Sequence, residues 1–187
     1  MDAGARVCHP ARMIGRHLRI LGASAGVALA AGVAPSGARA AEHTVETVIE
    51  NPKDHPPYKM EIEPHGLIGF GRYHRGGSIG AGLRINFVLA DPLIKTINNN
   101  LAIGTGADAF IGNNLTAMVP VVAQWNLFLL SQFSMYIEPG IGIGFGGGGI
   151  WPDLILAVGG RWHFSEKLAL SIRIGYPALG IGASFFF

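Results

Sequence analysis

The alternation in residues 167–187, KLALSIRIGYPALGIGASFFF, does more than any other stretch to fix what this chain can become. Leu168, Leu170, Ile172, Ile174 and Tyr176 share one parity, and Ala169, Ser171, Arg173 and Gly175 share the other. Beyond Pro177 a second run sets Leu179, Ile181, Ala183, Phe185 and Phe187 against Gly180, Gly182, Ser184 and Phe186. Successive side chains of a strand point to opposite faces, so each run is a ribbon with one large apolar face and one small or polar face. The two ribbons meet at a tight turn.

The same pattern recurs upstream. Alternating segments separated by turn residues place strands at 59–72, 77–89, 100–112, 115–129, 132–146, 153–164, 167–176 and 178–187. Ribbons of about ten residues are long enough to cross a bilayer when tilted. A helical reading of Thr116–Ile137, which contains no charge, is weakened by Pro120, Gln124, Asn126, Ser131, Gln132 and Ser134. The glycine-rich runs elsewhere are poor helix formers.

The last strand resembles the closing strand of bacterial outer-membrane β-barrels. That family carries glycine near the sixth-from-last position and aromatics at the third-from-last and last positions, filled by Gly182, Phe185 and Phe187. Gly180 stands where the family usually has a polar residue. Over about residues 59–187 the chain resembles the small barrels of the OmpA and OmpX type. The resemblance implies an all-β fold, an eight-stranded antiparallel up-and-down transmembrane β-barrel, in the outer membrane of a Gram-negative type cell. It also implies recognition of Gly182, Phe185 and Phe187 by the barrel-insertion machinery, outer-membrane lipid as surroundings, a monomer, and a non-enzymatic structural or surface-interaction role. Both termini would then lie in the periplasm.

The faces can be assigned from chemistry. Were the large apolar set turned inward, the exterior would be mostly glycine and alanine with scattered charges, a poor surface for water. Turned outward, it meets lipid, and the small and charged set fills a lumen with room only for side chains. This places Glu61, Glu63, Arg84, Asp108, Glu138, Arg161 and Arg173 inside, where opposite signs must pair. It also predicts two aromatic girdles. Phe87, Trp125, Phe133, Trp162, Phe164, Phe185 and Phe187 form the periplasmic one, and Phe70, Phe145, Trp151 and Tyr176 the outer one. Pro64, Pro120 and Pro139 fall within strands, so each removes a ladder hydrogen bond or marks a bulge. The connection 91–99 is long for a periplasmic turn, and the outer connections are short.

Residues 1–40 read as a secretory signal peptide. Arg6, Arg12, Arg16 and Arg19 precede the apolar run Ile20–Val33, and Ala38-Arg39-Ala40 is a small-x-small cleavage site. Met1 and Met13 both leave a complete signal. Cys8, the only cysteine, precedes the apolar run, so the mature chain has no thiol chemistry. Residues 41–58 form a polar, proline-bearing N-terminal arm expected to be an extended, disordered lead-in, and 59–187 the barrel. The formal net charge of +2 comes largely from the signal and gives no basic patch for nucleic acid.

Little in the sequence speaks for catalysis. His163-Phe164-Ser165 resembles the His-x-Ser pair of outer-membrane lipid A deacylase barrels, which implies a lipid-modifying alternative. Against it, Ser165-Glu166-Lys167 reads as a periplasmic turn. Gly142–Gly147 spells GxGxxG, but no helix follows it as a dinucleotide site requires. His43, His55, His65 and His74 lack metal-ligand spacing. No cofactor and no metal are expected. The lumen charges leave a third reading open, a narrow channel.

Overall fold

A computed structural model describes residues 46–70, 77–146 and 148–187. The expected signal peptide with Cys8, the start of the arm with His43, residues 71 and 72 of the first expected strand, His74 and Gly147 lie outside the described residues. Eight strands follow one another: β1 (Met60–Gly69), β2 (Ser78–Ala90), β3 (Asn99–Ile111), β4 (Leu115–Leu130), β5 (Phe133–Gly146), β6 (Gly149–Ser165), β7 (Leu168–Tyr176) and β8 (Ala178–Phe186). Each pairs antiparallel with its neighbour, and β8 returns to β1, closing the barrel. The largest departure from the expected boundaries is β6, which begins at Gly149 rather than 153.

The outward parity is apolar on every strand. Ile68, Ile79, Ile103, Val119, Ile141, Leu154, Ile172 and Ile181, one from each strand in turn, are all exposed. The inward parity holds Glu61, Asn86, Asp108, Gln124, Glu138, Arg161, Ser171 and Ser184, all buried. This inverts a water-soluble protein, and such a surface is at home in hydrocarbon. The fold is an eight-stranded antiparallel up-and-down transmembrane β-barrel. Among the described residues no helix is long and apolar enough to cross a membrane.

Each internal proline interrupts the ladder on one side only. Pro64 keeps Leu83 of β2 as its partner, while β1–β8 pairing breaks between Ile62–Phe185 and His65–Gly182. Pro120 keeps Gly142, while β3–β4 pairing breaks between Thr105–Val121 and Asp108–Met118. Pro139 keeps Leu156, while β4–β5 pairing breaks between Val122–Gly140 and Trp125–Ile137. A proline lacks one donor, and strand neighbours alternate, so only one ladder suffers. The bulges lie elsewhere, at Val88/Ala90, Phe128/Leu130 and His163/Ser165. All three are at the ends of even strands, on the rim that also carries Met60 and Phe186. We call this rim the near end.

The near end is covered. Residues 46–58, expected as a disordered lead-in, pack across it. Val48 N–H donates to Leu129 O (3.1 Å) and Ser131 N–H to Glu46 O (2.9 Å), with a bridge between Thr47 and Leu130. The His55 ring stacks on Phe128, and Tyr58 sits edge-on to Phe186 at 4.9 Å. The polar composition of this arm concealed two aromatic anchors that the mouth of the barrel accepts.

Candidate functional site

The long 91–98 connection is ordered by three consecutive asparagines, all fully buried. Asn99 Nδ2 donates to the carbonyls of Ile94 and Ile97, both at 2.7 Å, and its Oδ1 accepts from Ile94 N–H and Trp125 Nε1. Asn98 faces the arm. Its Nδ2 donates to Asp54 O (2.9 Å), and its Oδ1 accepts from His55 Nδ1 (2.6 Å). Asn100 faces the lumen. Its Nδ2 donates to Tyr58 Oη (3.1 Å), and its Oδ1 accepts from Asn126 Nδ2 (2.7 Å). Burial, reinforced by the Glu61 charge, pushes the Tyr58 phenol up, so its oxygen stays neutral. The extra length of this loop is thus the bracket that ties arm to lumen.

Below that bracket lies the first tier of charges. Arg161 Nη1 donates to Asn126 Oδ1 (2.7 Å), and Nη2 donates to Glu61 Oε2 (2.8 Å), which also accepts from Asn86 Nδ2 (3.1 Å). The charged groups of the second tier join five strands. Arg173 Nη2 donates to Glu63 Oε1 (2.8 Å), and its Nε lies 2.7 Å from Glu138 Oε2. Arg84 lies 3.6 Å from both Asp108 and Glu138. Ser184 Oγ donates to Glu63 Oε2 (3.2 Å). Tyr136 separates the tiers, its ring 4.2 Å from the Arg161 guanidinium and 5.8 Å from that of Arg173. Every lumen charge read from the sequence is therefore buried and reaches across to an opposite sign. Such pairs are costly to bury but costlier to break.

The uncharged Asn86, Asn126 and Ser184 belong to the small and polar parity that the chemistry turns inward, and all three are buried. His65 and Tyr136 share that parity and are buried too, although the sequence reading names neither as a lumen residue. The side-chain-filled lumen is polar in its two charge tiers and apolar at the far end. There Leu67, Phe110 and Ala178 form one buried apolar cluster, and Met118, Val122 and Ile155 another. Apolar side chains can close a mouth without hydrogen-bond partners, which suits an end with short connections.

His163 and Ser165 do not form a pair. His163 Nε2 lies 2.9 Å from Ser134 Oγ, and its ring stacks on Phe186 at 5.4 Å. Ser165 Oγ accepts from Lys167 N–H (3.3 Å) within its own turn. The β6 bulge falls between the two residues. Both line a cleft of about 600 Å³ between the arm and the turns after β4 and β6, with His55, Phe128 and Lys53 on its other walls. Among the described residues no group of His, Cys, Asp or Glu side chains could hold a metal ion.

No protein-family model and no curated protein matches the chain. Solved structures share its shape distantly. One is a structure from work on de novo design of transmembrane β-barrels, 13% identical, covering 73% of this chain and 99% of its own, with a TM-score of 0.47. Another is the Yersinia pestis outer membrane protein Ail in a phospholipid bilayer nanodisc, 12% identical, covering 70% of this chain and 100% of its own, with a TM-score of 0.44.

The C-terminal residues close the barrel. Phe187 O accepts from Lys59 and Met60 N–H (2.7 and 3.1 Å), and Phe187 N–H donates to Met60 O (2.9 Å). The Phe185 and Phe187 rings point outward at the near end. Gly182 faces His65 of β1 across the seam, where a Cβ would collide with the Pro64 carbonyl and the His65 side chain.

Proposed function

We propose that the protein is an integral outer-membrane barrel of the OmpA and OmpX type, exported by a signal peptide, with a closed lumen and a non-enzymatic role. The observation that carries this is the inversion of polarity: a continuous apolar exterior around cross-lumen ion pairs. Short far-end connections leave little surface for partners outside the cell. The arm and the 91–98 bracket make the periplasmic end the elaborated one. The role is therefore structural, with any interaction surface on that side. Gly182, Phe185 and Phe187 serve as the signal for the insertion machinery. The engagement of His163 with Ser134 speaks against hydrolysis by His163 and Ser165. The two charge tiers and the apolar far end speak against a channel.

The test compares unheated and boiled samples of purified outer membranes by gel electrophoresis. A folded barrel migrates faster unheated. Absence of the protein from this fraction, or a single band in both samples, overturns the proposal. Planar-bilayer conductance and hydrolysis of labelled lipid A are expected to be absent.

A further inference from the structure

Within the described residues, the fully lumen-buried acids are Glu61, Glu63, Asp108 and Glu138, and the buried arginines are Arg84, Arg161 and Arg173. The acids exceed the arginines by one. Asp153 lies at the far mouth, only partly buried, with Tyr176 Oη donating to it (3.4 Å). The remaining buried ionisable side chain in the second tier is His65.

We infer that His65 is a proton-binding site, and that its imidazolium is the fourth cation of the lumen. Nε2 lies 2.9 Å from Asp108 Oδ1. Nδ1 lies 3.1 Å from the Glu63 carbonyl and 3.4 Å from Glu63 Oε1. A carbonyl and a carboxylate only accept, so both ring nitrogens must donate, which only the doubly protonated ring can do. The site is built around the ring. Its cross-strand neighbours are Gly82 on β2 and Gly182 on β8. A Cβ at Gly82 would collide with His65 Nε2 and Asp108 Oδ1. Two glycines thus hold open a slot that admits the ring and fixes its direction. The charged groups around the slot are Glu63 on β1, Arg84 on β2, Asp108 on β3, Glu138 on β5 and Arg173 on β7; β8 contributes Gly182 and Ser184. With the proton bound, the buried lumen sums to zero. Without it, one negative charge is left uncompensated beside Asp108.

The inference rests on the chain being a closed-lumen barrel but is tested apart from its cellular location. Ring ¹⁵N shifts of His65 are measured at neutral pH in protein folded into lipid nanodiscs. Two nitrogens at the protonated position are expected. One protonated and one bare nitrogen overturns the inference. In Asp108→Asn three acids face three arginines, so His65 should show one bare nitrogen; two protonated nitrogens in that variant would mean that charge balance does not govern the site. His65→Gln should lower the urea midpoint of unfolding, and adding Asp108→Asn should recover at least half of the loss. Failure of the second change to recover anything contradicts the charge argument, whatever the state of the wild-type ring.

Discussion

His55 lies flat on Phe128, ring centroids 3.9 Å apart and planes inclined by 4°. This contact joins the arm to the end of β4, next to the Phe128/Leu130 bulge. An aromatic contact of this kind is worth about 0.5–1.5 kcal/mol beyond area burial. His55→Ala also removes the donor to Asn98 Oδ1. The Val48 amide, which donates to Leu129 O, and the Asn51 and Asp54 amides, which donate within the arm, should exchange with deuterium about tenfold faster in that variant, by the same magnitude. Barrel amides should be unaffected. Unchanged arm exchange would show that the His55 contacts do not hold the arm.

The first charge tier offers a sharper test. Arg161→Met strands Glu61, which is fully buried. Removing one member of a buried pair costs about 3–5 kcal/mol, whereas replacing both is often close to neutral. Urea unfolding in bilayers should therefore show a large loss for Arg161→Met and a partial recovery when Glu61→Gln is added. Additive losses would mean the two residues do not act as a pair.

How far the fold was legible follows from these residues. A period of two, sustained over eight segments, fixes strand number and parity, and parity fixes which side chains meet lipid. Ile172 and Ser171 are adjacent, yet one is half exposed and the other buried. The arm was not legible, because polar composition records neither the reach of His55 to Phe128 nor that of Tyr58 to Asn100. Glu63 lies two residues from His65 on β1 and shares its parity, but Asp108 meets the ring only through the register of β1, β2 and β3. Pairing across strands depends on register and closure, which no single segment encodes.

Closure also separates two roles for Phe187. Its backbone carbonyl accepts from Lys59 and Met60, and its ring is exposed at the near rim. Phe187→Ser keeps the backbone bonds and loses the ring, whereas deletion loses both. If the insertion machinery reads the ring, both variants should reduce folded protein in the outer membrane to a similar degree. If closure alone matters, only the deletion should. Levels equal to wild type in both would remove Phe187 from either role.

The assignment of faces is tested on β7. Ser171 sits between Arg161 of β6 and Gly182 of β8, inside a filled lumen, so a second arginine there would be crowded and would face a like charge. Asparagine is the better probe at both positions. In the lumen it finds hydrogen-bond partners. On the lipid face it exposes an amide to hydrocarbon, where an unsatisfied polar group costs several kcal/mol. Ile172→Asn should therefore lower the folded fraction in a urea series far more than Ser171→Asn. Ile172→Arg should cost about 2–4 kcal/mol if the residue lies near the midplane. Equal losses at the two positions, or a larger one at Ser171, would reverse the faces and make the barrel a soluble one with an apolar core.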